Sequence, residues 1–94
     1  MDPSAGGPAQ ARVTIVNQRG LHARAAARFV KLAETFSASV QVTRDDLTVQ
    51  GTSILGLMML AAGPGAVLEL RAVGADAGPA VEGLAELVRR GFDE

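Results

Sequence analysis

Ser39-Val40-Gln41-Val42-Thr43-Arg44-Asp45-Asp46-Leu47-Thr48-Val49-Gln50 holds two short alternating runs about a charged turn. Val40 and Val42 share one face of the first run, and Leu47 and Val49 share one face of the second. The charged turn at Arg44-Asp45-Asp46 makes the pair a hairpin. Strands joined this closely pair antiparallel, since a parallel neighbour needs a crossover of a dozen residues or more.

The flanks extend the pattern. On the C-terminal side, Gly51-Thr52-Ser53 precedes an apolar segment from Ile54 to Ala62, and Gly63-Pro64-Gly65 stops it. Ser53 suits the cap of a short second helix. Ala66 to Val73, rich in branched apolar residues, makes a fourth strand whose buried face the pattern leaves open. After Gly74 to Gly78, the positions Val81, Leu84, Ala85, Val88 and Phe92 recur at helical spacing, with Asp76 placed to cap the helix. On the N-terminal side, Arg12 to Val16 alternates as a first strand, and Asn17 to Gly20 turns the chain. Ala26, Phe29, Val30, Ala33 and Phe36 then form the buried stripe of a first helix. The order is strand, helix, strand, strand, helix, strand, helix. It predicts a two-layer α+β sandwich, with helices on one sheet face and the other face wet.

Ninety-four residues suffice for one domain with one core. With three phenylalanines and neither tyrosine nor tryptophan, that core is built from Ala, Val, Leu, Ile and Met. Nine basic and ten acidic side chains leave a net charge of -1, which argues against nucleic acid or an anionic membrane and for proteins or small molecules as partners. The absence of cysteine removes disulfides and thiol chemistry, a single histidine argues against a transition-metal site, and no cofactor is implied. Met1 to Gln10 lacks the basic and apolar regions of a signal peptide and reads as a flexible lead-in, so residues 11–94 are the expected domain and the cytoplasm the expected compartment. No apolar run approaches the ~20 residues of a membrane span.

Gly20-Leu21-His22-Ala23-Arg24 places that histidine at or just before the first turn of the first helix. A ring nitrogen there can act as a nucleophile toward phosphorus. The free N–H groups of the helix start would face the phosphoryl group, and Arg24 would add positive charge. The plainer reading is a histidine filling a partly buried position beside a solvated arginine. Arg28 and Lys31 are ordinary outer-face charges or contacts for acidic partners. Ile54, Leu57 and Met58 share one face of the second helix. That leaves Leu55 and Met59 as the candidates for an exposed docking patch, with covering loops or a dimer as alternatives.

These motifs resemble the HPr family, histidine-containing phosphocarriers of the phosphoenolpyruvate-dependent phosphotransferase system, over about residues 11–92. Gly20-Leu21-His22-Ala23-Arg24 is similar to the family's phosphohistidine motif, and Thr52-Ser53-Ile54-Leu55-Gly56-Leu57-Met58 to its regulatory-serine signature. The resemblance implies an open-faced sandwich in the order βαββαβα, a four-stranded antiparallel sheet with three helices on one face. It implies a carrier, not an enzyme with a free substrate. His22 would accept a phosphoryl group on Nδ1 from phosphorylated enzyme I and pass it to an EIIA-type protein, with Arg24 neutralising the phosphate. Ser53 would be modified by an HPr kinase/phosphorylase, and Ile54, Leu55, Met58, Met59, Arg28 and Lys31 would contact partners of a monomeric carrier. Two positions depart from the pattern: Ala25 stands where proline is frequent, and Arg19 where a small polar residue is common. Variants of this kind resemble carriers whose phosphotransferase chain regulates nitrogen or carbon metabolism more than it imports sugar, and a specialised nitrogen-type regulator is the alternative within the family. A non-phosphorylated binding module built on the second-helix patch is the alternative from another class and makes His22 dispensable. A small acid–base enzyme would need a carboxylate partner for His22, and spacing supplies none.

Overall fold

Alternation of small apolar and polar residues builds the sheet and turns the apolar side chains inward, except at the edge, where Leu47 is exposed and Val49 half-buried. The computed structural model describes residues 8–94. Its strands are β1 (Ala9–Thr14), β2 (Ser39–Arg44), β3 (Leu47–Gln50) and β4 (Val67–Val73), and its helices are α1 (Ala23–Ala33), α2 (Ile54–Met59) and α3 (Ala77–Arg89), followed by a 3-10 turn at Gly91–Asp93. All pairings are antiparallel, in the order β1-β4-β2-β3. The hairpin Ser39–Gln50 is β2 and β3, with Val42 opposite Val49. β4 enters between β1 and β2, so that Leu70 faces Ala11 on one side and Val42 on the other.

The face left open by the sequence of β4 is resolved by this central position. Leu68, Leu70 and Ala72 are buried, while Val67, Glu69, Arg71 and Val73 are exposed. Val13, Ile15, Val40 and Val42 join the same inner face. Against it pack Ala26, Phe29, Val30 and Ala33 of α1, Leu57 of α2, and Ala80, Val81, Leu84 and Val88 of α3. The outer face carries polar side chains alongside the exposed Val67 and Val73. Arg12 pairs with Glu69 across β1 and β4 at 3.6 Å, and the hydroxyls of Thr43 and Thr48 bond at 2.8 Å across the hairpin.

Several expected boundaries move. Ala9 and Gln10 belong to β1, paired with Ala72 and Arg71, and not to a lead-in; of the rest of that expectation, Pro8 is exposed and outside any element, and residues 1–7 lie outside the described residues. α1 ends at Ala33, so the half-buried Phe36 packs from the following turn. Phe92 is fully buried from the 3-10 turn, where its φ of 58° departs from the helical rhythm of α3. Asp76 precedes α3 without capping it; its Oδ2 instead accepts from the backbone N–H of Ser37 at 2.7 Å.

α2 is shorter than its apolar run. Leu57 and the cap residue Leu60 face inward, and Ile54 and Met58, expected to share the buried face with Leu57, are each 42% exposed. Ala61 leaves the helical region with a φ of 51°, and the Arg44 guanidinium donates to the carbonyls of Leu60 and Ala61 at 3.0 and 2.7 Å, satisfying the end of the helix. At the other end Ser53 caps as expected, its Oγ accepting from the Gly56 N–H at 2.9 Å. Ser53→Ala is expected to lower stability by about 1 kcal/mol. Denaturant midpoints of the two proteins at equal slope would check this.

Candidate functional site

The turn between β1 and α1 is held on two sides by backbone contacts. Gly20, with a φ of 64°, donates from its N–H to the Asn17 carbonyl at 3.1 Å, and the Leu21 N–H donates to the Ala62 carbonyl at 2.9 Å. His22 follows as the N-cap of α1, with an extended backbone and no side-chain bond to the helix. Its carbonyl accepts from Ala26, so the N–H groups of the first turn lie at the imidazole's end of the helix without intrahelical partners. Arg24 is exposed on that first turn. Ala25, in place of a frequent proline, is fully buried.

The His22 ring itself is mostly shielded, with 15% of its side chain exposed. Its Nε2 meets the Oε2 of Glu94, 72 residues away in sequence. A carboxylate only accepts, so Nε2 carries the proton in this contact, and Nδ1 is the nitrogen with the free lone pair in a neutral ring. The other carboxylate oxygen, Oε1, accepts at 2.9 Å from Nδ2 of Asn17, which is buried and also donates to the Gly20 carbonyl at 2.9 Å. The hydrogen bond from Asn17, then that from His22, with a smaller contribution from the Arg19 charge, holds the Glu94 carboxyl below its ordinary range.

A depressed folded-state value fixes the direction of the pH effect. The stability that Glu94 contributes is fully present above the ordinary carboxylate range and is lost as pH falls through the lowered value. A Glu94→Gln protein, which lacks the titrating group, should therefore differ most from wild type near neutrality and converge with it in acid. Denaturant titrations of both proteins across that range would show it.

Arg19, Leu21 and His22 line one side of a shallow cavity of about 340 Å³, with Met58, Ala61, Ala62 and Gly63 on the other. This cavity joins the histidine to α2. The exposed side chains Ile54, Leu55, Met58 and Met59 thus form one apolar surface that reaches His22 through Met58. Lys31 is exposed on α1, near its C-terminal end. Arg28 is partly buried, and its Nη1 donates to the Phe92 carbonyl at 2.5 Å, which ties α1 to the turn that carries Glu94. Among the described residues no group of three His, Cys, Asp or Glu side chains could hold a metal ion, and no helix is long and apolar enough to cross a membrane.

Sequence reasoning placed His22 and Arg24 at the helix start and missed both Asn17 and Glu94. Spacing along the chain offers no carboxylate for His22, because the partner comes from the far end of the fold. An asparagine in a turn also has a common local explanation, so nothing marked Asn17 as the link between them.

Residues 9–90 match the family model described as the PTS HPr component phosphorylation site. The phosphocarrier protein HPr of Neisseria meningitidis serogroup B is 46% identical over 82 residues, which cover 87% of this chain and 92% of that protein. The phosphocarrier protein NPr of Shewanella violacea is 40% identical over 83 residues, covering 88% and 91%. A crystal structure of HPr from Thermoanaerobacter tengcongensis superposes with a TM-score of 0.87 at 38% identity, covering 92% of this chain and 97% of that one. With the phosphorylation-site model spanning nearly the whole fold, the chain belongs to the HPr family, phosphocarrier proteins of the phosphotransferase system that act without a free small-molecule substrate.

Proposed function

We propose that His22 is the phosphoryl acceptor of a cytoplasmic carrier that is charged by phosphorylated enzyme I and discharged to an EIIA-type protein. The observation that carries this reading is the engagement of Nε2 by Glu94, which leaves Nδ1 as the available nucleophile at the N-terminus of α1. The Nδ1 lone pair attacks phosphorus, and the bond from phosphorus to the donor's leaving atom breaks, its electron pair staying with the donor. The product ring is bonded to phosphorus at Nδ1 and to hydrogen at Nε2, and so is formally cationic. Glu94 balances that charge on one side. The first N–H groups of α1 and the Arg24 guanidinium face the dianionic phosphoryl group on the other. These are exposed or half-exposed interactions, each worth about 0.3–1 kcal/mol at a helix terminus, which orient the group without trapping it. Onward transfer is the same displacement, with the acceptor's nucleophile attacking phosphorus and the electron pair returning to Nδ1.

The apolar surface of Ile54, Leu55, Met58 and Met59 docks both partners, since methionine side chains adapt to more than one shape. Lys31 and the outward part of Arg28 supply cations for acidic partner surfaces. Ser53 is the regulatory position, modified by an HPr kinase/phosphorylase. A dianionic group there sits at the start of α2, directly beside Ile54, and opposes docking on the apolar surface. The carrier works as a monomer, a state that sedimentation at micromolar concentration would report.

Incubation with phosphoenolpyruvate and enzyme I, followed by intact-mass measurement, tests the central claim. One acid-labile phosphoryl group per chain is expected. Its absence with both general and nitrogen-type enzyme I would overturn the reading. The relative named NPr, together with Arg19 beside the site, favours a regulatory branch as a second reading. Faster uptake from the nitrogen-type enzyme I would select it.

A further inference from the structure

Asn17 is the described residue with a buried polar side chain, 8% exposed, in a core otherwise built of apolar groups. Both hydrogens of its amide are committed. One goes to the Gly20 carbonyl, inside the turn that presents His22, and the other to Glu94 Oε1, each at 2.9 Å. Its Oδ1 is buried without a partner. The opposite orientation of the amide is excluded by chemistry, because it would set Oδ1 against a carbonyl and a carboxylate, which are acceptors themselves. An unsatisfied buried oxygen is unfavourable, and a leucine of similar volume would avoid it. What the amide provides in return is a fixed position for the Glu94 carboxylate, whose second oxygen meets His22 Nε2.

The surroundings hold this chain of contacts from behind. Gly91, with a φ of 69°, passes close to Asn17, such that an added Cβ would lie 3.5 Å from the Asn17 Cβ. Phe92 is fully buried, and its carbonyl is gripped by Arg28. The turn bearing Glu94 is therefore anchored on α1 and in the core, and Asn17 sets where its carboxylate points.

We propose that Asn17 is a positioning residue for phosphoryl uptake: through Glu94 it holds the His22 ring in one orientation with the proton on Nε2 and the lone pair on Nδ1. The inference rests on the reading of His22 as phosphoryl acceptor, and it adds a residue that touches neither the ring nor the phosphoryl group. The lowered titration range of the Glu94 carboxyl, for which the Asn17 hydrogen bond is the largest cause, agrees with that geometry.

The test compares wild type, Asn17→Ala and Glu94→Ala by 15N NMR of the imidazole at about pH 8, above the ordinary histidine range. In wild type a solvent-protected Nε2–H resonance is expected. Both variants should lose that protection, and their phosphoryl uptake from enzyme I should fall in kcat by about tenfold, the order for a lost charge-assisted hydrogen bond, with KM little changed. Glu94→Ala cuts the same chain at an exposed residue, so the proposal stays testable if Asn17→Ala does not fold. A resonance that remains protected in the variants overturns the role of Asn17, and so does lost protection with unchanged uptake. Failure of wild type itself to take up phosphoryl overturns the acceptor reading and the positioning role with it, whereas the first two outcomes leave the acceptor reading standing.

Discussion

His22→Ala is expected to fold like the wild type and to accept no phosphoryl group. The backbone at position 22 is extended, with φ -71° and ψ 176°, a conformation alanine adopts freely, and the side chain makes no capping bond whose loss would weaken α1. What the substitution removes from the folded protein is the hydrogen bond from Nε2 to the Glu94 carboxylate. Asn17 still holds the carboxylate. For phosphoryl transfer the loss is total, since the substituted chain has no other imidazole. Circular dichroism melts should nearly coincide, while intact mass after incubation with phosphoenolpyruvate and enzyme I should show the phosphoryl adduct on wild type alone. Retained labelling would move the acceptor to another residue, and an unfolded variant would make His22 a structural residue.

The contrast between that residue and its partner shows what a linear pattern can carry. Periodicity locates β1, β2, β3, α1 and α3, because burial on one face imposes a period of two on a strand and of 3.6 on a helix, whereas β4 and α2 are marked only by apolar runs between glycines. It misjudged α2. Ile54, Leu57 and Met58 do share a helical face, but α2 is a single short segment against α1 and the edge strand β3, and only Leu57 and Leu60 reach the interior. A helix that is apolar all round gives no periodic signal of which side is covered; the packing of its neighbours decides. The ends of elements moved for a related reason. Phe36 and Phe92 continue a helical spacing but are buried from turns, since a large side chain can reach the core from beyond the last hydrogen-bonded residue. At the site, the local motif sufficed for His22 and Arg24, which neighbour each other along the chain. Glu94 is brought to the ring by the return path of α3 and by the reversal at Gly91, a tertiary fact with no local trace.

The largest loss of stability is expected from Gly20→Ala, and it should take the site with it. An ideal Cβ at position 20 would stand 2.2 Å from the Ala62 carbonyl oxygen and 2.9 Å from the Gly63 Cα. Both are backbone atoms, so no side chain can swing aside. The φ of 64° adds left-handed strain of roughly 1–2 kcal/mol, and displacement of the packed backbone adds about 1–3 kcal/mol. The sum is a large fraction of the ~5–15 kcal/mol that stabilises an ordinary domain. The relief available is to push the turn away from the α2–β4 loop, which breaks the Leu21–Ala62 hydrogen bond and shifts the Gly20 carbonyl from Asn17. His22 then leaves the cavity it shares with Met58 and the reach of Glu94. Gly63→Ala is the control from the facing loop, because a Cβ there meets nothing within 4 Å, and its effect should stay within about 0.5 kcal/mol. Denaturant unfolding and phosphoryl uptake measured on both variants would separate a clash at one backbone contact from general sensitivity of the loops. Equal effects at the two glycines would overturn this expectation, since of the two it is Gly20 that lies too close to a neighbouring backbone for a side chain.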